Sequence, residues 1–332
     1  MASRRETGDD VVAALTEMLD RRIPVDDRER QSIEQFRDEL SQLDRPCDEH
    51  ADRTHVTASA IIVSRRGVIL HRHKILGLWV QPGGHINADE APADAAIRET
   101  REETGLKARH FCGDAHPLVI HVDVHPGPRG HTHLDIRYLL VAPDDDPTPP
   151  KGESPDVAWF SWAKASAASS EVGLSGILGA LVDVTVRDAV TEDAPAVAEV
   201  YLRSFRHAYD ATAVRLAHDD DDVRRWIRDD LLPTHTVTVA VAAGTVPIGF
   251  VAEQPGRVSH LYVDPAWIRR GIGSQLLRVA KDRQSGGLSL WTFEANKRAR
   301  AFYERRGFKA VERTDGAGNE ERQPDVRYSW EP

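Results

Sequence analysis

The chain has 332 residues and a formal net charge of −10 at pH 7, with 53 acidic against 43 basic side chains. This length allows two domains with separate hydrophobic cores, and the acidic balance argues against a general nucleic-acid or membrane-surface binder. No apolar run approaches the length of a membrane span, and the first ten residues lack an apolar signal region. With only Cys47 and Cys112 a disulfide framework is not expected, so we predict a cytoplasmic protein.

Residues 10–44 are predicted to form two helices separated by Pro24, because apolar residues recur there at helical spacing. The two apolar stripes consist of Val11, Val12, Leu15 and Leu19, and of Ile33, Phe36, Leu40 and Leu43. We assign residues 1–52 to a helical extension that flanks the next domain. Cys47 and His50 lack a second pair at zinc-finger spacing, so a zinc site is not favoured there.

Residues 53–175 are predicted to form the first domain. From Thr54 the pattern changes to that of strands, which we predict at 56–63, 68–73, 116–124, 131–141 and 157–162. One helix interrupts them. Pro92 suits its first turn, and Gly105 suits a left-handed residue at its end.

That helix carries a concentrated group of acidic side chains, Glu99, Glu102 and Glu103, directly after Arg98. Residues three and four apart share a helix face, so the carboxylates converge and Arg98 can reach Glu102. A divalent cation would relieve their repulsion, because Mg²⁺ prefers carboxylate oxygens and usually shares them with substrate phosphates. The alternative is a solvated acidic face.

The segment around this helix resembles the Nudix box, in which glycine, glutamate and a final Arg-Glu-apolar-any-Glu-Glu-any-Gly-apolar run follow at fixed spacing. The matching positions are Gly84, Glu90, Arg98, Glu99, Glu102, Glu103, Gly105 and Leu106. Thr100 departs from the pattern, since that position is usually aliphatic. The resemblance implies an α/β/α sandwich with a mixed sheet over residues 53–175.

The same resemblance implies metal-dependent hydrolysis of a nucleoside-diphosphate-type phosphoanhydride. Glu99, Glu102 and Glu103 would hold Mg²⁺ or Mn²⁺, and the glycines before the box would shape the loop around the metal. Glu102 or Glu153 would be the general base, although Glu153 could equally be a solvated loop residue.

Histidines alternate along two of the predicted strands, so members of each set point the same way. His131, His133 and Asp135 could form a zinc site, but hydrogen bonding is favoured because this triple lacks a fourth ligand. His71 and His73 are interpreted in the same manner.

The second domain is predicted to cover residues 183–332, after a short closing helix and a boundary near 175–183. Nothing in the first half repeats there, so the two domains are unrelated. The predicted strands lie at 184–189, 236–242, 248–253, 258–263 and 288–293.

A basic, glycine-containing loop follows the strand that ends at Val263. It comprises Arg269, Arg270, Gly271, Ile272, Gly273 and Ser274, with a helix predicted from about Gly273. Such a loop presents backbone N–H groups and a helix dipole to an anion, and the arginines add positive charge. The alternative is an ordinary strand–turn–helix connection.

Together with Asn296 and the downstream run from Tyr303 to Phe308, this loop resembles the acyl-CoA motifs of GNAT N-acetyltransferases over roughly residues 184–332. One position departs, because Ile268 stands where the family usually has Gln or Arg. The resemblance implies a mixed β-sheet flanked by helices, with acetyl-CoA as co-substrate and a small-molecule amine as acceptor.

The GNAT resemblance also implies roles for individual residues. The strand edge from Leu261 to Val263 would hydrogen-bond pantetheine, the loop N–H groups would hold the pyrophosphate, and Asn296 would order the CoA side of the site. Tyr303 would protonate the leaving thiolate, the alternative being a Tyr that only packs on the sheet. His260, Glu253 or a water chain would accept the proton of the amine.

The sequence thus predicts a bifunctional enzyme that acts on a nucleotide derivative and on an amine. Two alternatives remain. In one, the acetyltransferase alone turns over and the Nudix half is a nucleotide-binding or regulatory module. In the other, the protein is a scaffold without catalysis.

Overall fold

A computed structural model of the chain describes residues 8–169, 171–284 and 286–332. They form two compact units, one reaching from the amino-terminal helices to Asp183, the other built from Val184–Ala242 and Val246–Pro332. Each unit contains one mixed sheet with helices, which confirms the predicted α/β class.

The predicted absence of a signal region concerns residues 1–7, which lie outside the described residues. None of the described helices combines the length and the apolar composition that crossing a bilayer requires.

The first unit alternates helices and strands. Its elements are α1 (Gly8–Arg21), α2 (Asp27–Leu40), β1 (Thr54–Ser64), β2 (Gly67–Arg72), β3 (Trp79–Val80), β4 (Gly83–His85), α3 (Pro92–Thr104), β5 (Arg109–His110), β6 (Val119–Pro126), β7 (Thr132–Val141), β8 (Val157–Phe160), α4 (Trp162–Ala168) and α5 (Val172–Ala180).

Strand β1 is the centre of the eight-stranded sheet. It runs parallel to β7, with register from Thr54↔Thr132 to Val63↔Val141, and antiparallel to β2 and β4. Its alternate residues differ in character. One face supplies apolar side chains to the core beneath α3, and the other carries His55, Thr57 and Ser59. The sheet therefore has one apolar face and one polar face at this end.

The two amino-terminal helices, predicted as a flanking extension, share the hydrophobic core of the first unit. The buried residues that they contribute are Leu15, Leu19, Ile33, Phe36 and Leu40. A buried ion pair reinforces the contact, since Arg22 Nε lies 2.6 Å from Glu29 Oε1, which also accepts the Val122 N–H at 3.0 Å. Helix α2 is thereby fixed along strand β6.

The predicted end of the first domain, residue 175, lies inside α5. Downstream of it the side chains of Ile177, Leu178 and Leu181 are 0%, 1% and 0% exposed. The two units separate at Asp183 and Val184.

We expect a fragment of residues 1–183 to fold cooperatively, whereas residues 1–175 should be unstable or insoluble. Truncation of one buried Leu or Ile side chain typically costs about 2–5 kcal/mol, and a domain has only about 5–15 kcal/mol in total. Thermal melts followed by circular dichroism of both fragments check this. Equal melting temperatures would show that the end of α5 contributes nothing to the first unit.

The second unit also alternates helices and strands. Its elements are β9 (Val184–Asp188), α6 (Ala194–Tyr209), α7 (Asp220–Trp226) continuing through a π-helical turn (Ile227–Leu231), α8 (Leu232–Thr234), β10 (Thr236–Ala242), β11 (Val246–Gln254), β12 (Arg257–Val263), α9 (Ile272–Arg283), β13 (Leu288–Phe293), α10 (Lys297–Glu304), β14 (Lys309–Thr314) and β15 (Asp325–Trp330).

The seven-stranded sheet of this unit splays at its centre. Its order is β14-β15-β13-β12-β11-β10-β9. Strands β12 and β13 are parallel and pair only at Arg257↔Ser289, whereas their other neighbours are antiparallel with long registers. A wedge therefore opens between them towards Val263, next to the basic loop that begins α9.

Candidate functional sites

In the first unit, Arg98 ties the acidic helix α3 to the loop before it. Its Nη1 lies 2.6 Å from Glu99 Oε1 and 3.1 Å from Glu102 Oε2, and the second contact is the one that the i,i+4 spacing predicts. On its other side, Nε donates to Glu90 Oε1 at 2.8 Å and Nη2 donates to the His85 carbonyl at 2.8 Å. Arg98 thus sets the position of the carboxylates relative to the glycine loop.

The Gly83-Gly84 loop lies directly over two of the three carboxylates. Glu103 Oε2 accepts the Gly83 N–H at 2.9 Å. A Cβ on Gly84 would come within 2.6 Å of Glu99 Oε1, so no side chain fits there without displacing Glu99. Glu102 is placed at the rim instead, where its side chain is 55% exposed.

Helix α3 ends as predicted, because Gly105 adopts a left-handed conformation with φ 73°. A side chain at that position would collide with the Thr148 carbonyl oxygen, 2.2 Å from the ideal Cβ. The glycine therefore serves both the backbone turn and the close packing after the acidic helix.

Burial raises the pKa of Glu103 to about 8, and the charges of Glu99 and Glu153 add to the effect. The pKa of Glu99 is raised as well, chiefly by burial. Glu153 accepts from Lys74 Nζ at 2.9 Å, and its charge is among those that raise the pKa of Glu103. Carboxylates that lie close together, and whose pKa values burial raises, are a donor set that suits a hard divalent cation, so the site fits Mg²⁺ or Mn²⁺.

His71, for which the sequence favours hydrogen bonding over metal binding, lies beside this site. Its Nε2 lies 3.4 Å from Glu103 Oε2, and its side chain is almost fully buried. Burial, with His73 second, lowers the pKa of His71 to about 4. The imidazole is thus neutral beside the carboxylate at neutral pH.

The triple of His131, His133 and Asp135 does not form one site. Asp135 accepts from Thr57 Oγ1 at 3.1 Å and from Ser59 Oγ at 2.7 Å, and Arg137 Nε donates to it at 3.1 Å. This hydrogen bonding agrees with the interpretation that the sequence favours. The two histidines lie instead beside His55 and His85, described separately below.

In the second unit, helix α9 begins at Ile272, one residue before the predicted start. Gly271 precedes it with φ 85°, a conformation that side chains rarely adopt, and a Cβ there would meet nothing within 4 Å. Arg269 is exposed with φ 63°. A helix leaves its first N–H groups without partners within the helix, although in α9 the Ser274 N–H already bonds to the Gly271 carbonyl at 2.9 Å. These groups follow an open, basic turn at the mouth of the wedge.

Arg306 is a further basic residue at this turn, which the sequence did not single out. Its Nη2 donates to Ser274 Oγ, and its guanidinium stacks 3.8 Å from the Phe302 ring centroid. It thereby brings a charge from the end of α10 to the start of α9, where an anion would be bound.

Asn296 caps α10, since its Oδ1 accepts the Ala299 N–H at 2.9 Å, and its Nδ2 donates to the Tyr209 hydroxyl at 3.3 Å.

Tyr303 lies on the same helix with 7% of its surface exposed. Its ring packs 5.7 Å from Phe308 and 6.2 Å from Tyr328, measured between centroids. Burial raises the pKa of Tyr303, so its hydroxyl stays protonated and able to donate.

His260 lies among aromatic rings, with centroids 5.1 Å from Trp226 and 6.1 Å from Tyr201. Burial and the nearby His235 lower the pKa of His260 to about 3. Such an imidazole is neutral at pH 7 but a weak proton acceptor, because an effective general base has a pKa near the working pH.

Glu253, the other candidate base, lies at the closed end of the wedge. It pairs with Val258 near the β11–β12 turn, and its Oε2 is 3.4 Å from Arg283 Nη1. At the open end, the predicted pantetheine edge reaches from Leu261 to Val263, whose carbonyl accepts from Ser204 Oγ at 2.8 Å. The structure thus separates Glu253 from the mouth of the wedge.

Three tyrosines from α6 and β12 cluster near the mouth of the wedge, and the charge of a carboxylate in the loop before β15 acts on them. Tyr201 and Tyr262 have ring centroids 4.8 Å apart, and Tyr209 lies 5.5 Å from Phe293. The charge of Glu321 contributes to raising the pKa of all three phenols, after burial as the main cause. Burial likewise raises the pKa of Glu321. No spacing in the sequence signals this group, since its members come from helix α6, strand β12 and a loop.

The two halves of the chain match different family models, the NUDIX domain at residues 53–178 and the acetyltransferase (GNAT) domain at residues 233–310. Over 87 residues the chain is 32% identical to a probable DHNTP pyrophosphohydrolase of Lactococcus lactis subsp. cremoris, a match that covers 26% of this chain and 52% of that protein. Over 63 residues it is 40% identical to phosphatase NudJ of Escherichia coli (strain K12), covering 18% of this chain and 41% of that protein. The solution structure of apo-form YjaB from Escherichia coli matches with 22% identity and a TM-score of 0.39, covering 45% of this chain and 97% of that one. The chain thus spans about half or less of the length of these curated relatives.

Proposed function

The chain carries a Nudix domain followed by a GNAT acetyltransferase domain, and we propose that both are catalytic in one bifunctional enzyme. The first would hydrolyse a phosphoanhydride of a nucleoside-diphosphate type, and the second would transfer acetyl from acetyl-CoA to a small amine. The observation that carries the proposal is the placement of Glu99 and Glu103 directly under the Gly83-Gly84 loop.

In the hydrolase half, Glu99, Glu102 and Glu103 would hold Mg²⁺ or Mn²⁺. When bound, the ion would neutralise phosphate oxygens and lower the pKa of the attacking water. Arg98 holds Glu99 and Glu102 in place. Glu102 at the rim and Glu153 beside Lys74 are both accessible to solvent, so either could accept the proton of the water.

In the acetyltransferase half, the start of α9 would bind the pyrophosphate of acetyl-CoA through the backbone N–H groups of residues 269–274, with Arg269, Arg270 and Arg306 supplying positive charge. Asn296 would order the site by holding the Tyr209 hydroxyl. Tyr303 would protonate the departing thiolate. An amine in the wedge would lie among the tyrosines, where an aromatic face favours a cationic group.

For the acceptor proton, the low pKa of His260 favours a water chain or Glu321 over direct transfer to His260. Burial raises the pKa of Glu321, which makes it a stronger proton acceptor than a solvated carboxylate. His260 would then stay neutral and provide a hydrogen-bonding side chain at the wall of the wedge.

A pair of substrate screens on the full chain tests the proposal. Nucleoside diphosphate derivatives and DHNTP, after the name of the lactococcal relative, are incubated with Mg²⁺ and the released monophosphates, phosphate and pyrophosphate are separated by chromatography, and amines are assayed with acetyl-CoA for free CoA. Turnover in both screens supports the bifunctional enzyme. Acetyl transfer with nucleotide binding but no hydrolysis favours the regulatory Nudix module, and turnover in neither contradicts the proposal.

We expect Gly271→Glu to abolish acetyl-CoA binding. The substitution places a side chain at φ 85° and a negative charge beside the proposed pyrophosphate site. Isothermal calorimetry with acetyl-CoA measures the loss, and Gly244→Glu, in a turn with φ 71° and no atom within 4 Å of its Cβ, is the matched control that should bind normally. Unchanged binding by Gly271→Glu would exclude this loop as the pyrophosphate site.

A further inference from the structure

Four histidines converge on the polar face of the first sheet, at the end where β1 and β7 begin. His55 is in β1, His85 ends β4, His131 directly precedes β7 and His133 lies within it. Each offers a ring nitrogen, and these nitrogens all lie within 4.8 Å of one another. Strand pairing brings them together, since the register sets His55 opposite His133 and His85 opposite Thr57.

In this cluster some ring nitrogens have a hydrogen-bond or ion-pair partner, and others have none among the described residues. His55 is 0% exposed, and its Nε2 is buried with no hydrogen-bond partner among the described residues, as are Nε2 of His85 and of His133. In His55 and His85 the opposite nitrogen has a partner. His55 Nδ1 lies 3.3 Å from the Asp52 carbonyl, and His85 Nδ1 lies 3.1 Å from Glu49 Oε2.

Histidines that bind metals show the same pattern, with one ring nitrogen hydrogen-bonded and the other on the metal. A ligating imidazole almost always donates its other N–H to a carbonyl or a carboxylate, which fixes the tautomer and leaves the second nitrogen as a lone-pair donor. In the cluster, the Asp52 carbonyl and the Glu49 carboxylate are the groups that hold the other ring nitrogens. Without a ligand the three Nε2 atoms would be buried polar groups lacking hydrogen bonds, which native structures rarely tolerate.

The ring arrangement also suits one central ion. From His55 the ring centroids are 5.0 Å to His85, 5.1 Å to His131 and 5.2 Å to His133, and His85 and His133 are 5.5 Å apart. Four imidazoles bound tetrahedrally to Zn²⁺ at 2.0–2.1 Å would have centroids roughly 5 Å apart. The rings are tilted by 53° to 90° and not stacked, as convergence on a point requires.

The cluster is separate from the box carboxylates. Neighbouring residues of a strand point to opposite faces, and Gly84 faces Glu99 while His85, the next residue, faces the histidines. A second potential ligand group nearby, formed by Asp123, His125 and Glu171, is already occupied by arginines, since the buried Arg137 contacts both carboxylates and Arg28 contacts Asp123.

We propose that His55, His85, His131 and His133 bind one divalent transition-metal ion, with Zn²⁺ as the best-fitting class, at a site distinct from the Mg²⁺ site. Imidazole donors without a carboxylate suit Zn²⁺, Cu²⁺ or Ni²⁺ and not Mg²⁺. Four protein ligands leave no open position, which is typical of a structural site. The ion would tie the starts of β1 and β7 to the residue that follows the Gly83-Gly84 loop.

The test uses the untagged full chain, stripped with a chelator and dialysed into excess Mg²⁺ so that the carboxylate site is saturated. Zn²⁺ is titrated and the bound metal is counted by mass spectrometry, and Co²⁺ is added in parallel. One tightly bound equivalent and an intense tetrahedral Co²⁺ absorption are expected. No stoichiometric Zn²⁺, or Co²⁺ with a weak octahedral spectrum, overturns the proposal.

Variants locate the site. His133→Gln and His85→Gln should each lose the tight equivalent, while His116→Gln, on an exposed residue of the same unit, and Glu103→Gln should keep it. Glu49→Gln should weaken Zn²⁺ binding about 10–100-fold, the usual effect of removing an outer-shell partner. If His133→Gln does not fold, His85→Gln decides the matter, because its side chain is 40% exposed. Retention of tight Zn²⁺ by His85→Gln, or its loss in Glu103→Gln, places the metal elsewhere.

Discussion

Replacing Glu103 by Gln is expected to lower Mg²⁺-dependent phosphoanhydride hydrolysis by roughly 10²-fold or more, which corresponds to a few kcal/mol of transition-state stabilisation. The amide has nearly the same shape and can still accept the Gly83 N–H, so the loop should stay in place. What is lost is a negative charge that would bind the metal. Initial rates of phosphate release over a range of Mg²⁺ concentrations measure the effect.

The chain offers two controls for this experiment. Acetyl transfer, carried by the other unit, should be unchanged in the same preparation. Glu34→Gln makes the same chemical change on the exposed face of α2 and should hydrolyse normally. Full hydrolysis by Glu103→Gln would rule out this carboxylate as a metal ligand.

Replacing Tyr303 by Phe is expected to reduce acetyl transfer by about 10²–10⁴-fold, the usual contribution of a general acid, while acetyl-CoA affinity stays nearly constant. The ring would keep its contacts with Phe308 and Tyr328, so the fold of α10 should not change. The raised pKa of Tyr303 means that the hydroxyl carries its proton throughout the usable pH range. Only the proton donor is removed.

Steady-state release of CoA and calorimetry with acetyl-CoA separate these two effects. Tyr328→Phe is the matched control, because the Tyr328 hydroxyl donates to Glu304 Oε1 at 2.7 Å and so has a structural partner. That variant should lose some stability, about 1 kcal/mol for one hydrogen bond, but keep its turnover. If Tyr303→Phe loses acetyl-CoA binding or keeps full activity, the assigned role is wrong.

The spacing of residues in the sequence predicted those structural features that lie within a single helix or turn. The helix from Pro92 to Thr104, its left-handed end at Gly105 and the reach of Arg98 to Glu102 all follow from residues within one or two turns. The sequence does not predict strand β14, because its side chains are exposed on both faces and show no alternation. Strand β15 was also missed, although its burial does alternate.

Helical and strand periodicity act over a few residues, so the amino-acid pattern alone predicts most of the elements and the composition of each motif. Which motifs meet depends on the tertiary structure. Strand pairing joins His55 to His133, and it directs Asp135 to Thr57 and Ser59 and away from the histidines beside it. Contacts between residues this far apart depend on sheet register and on packing, which no local spacing encodes.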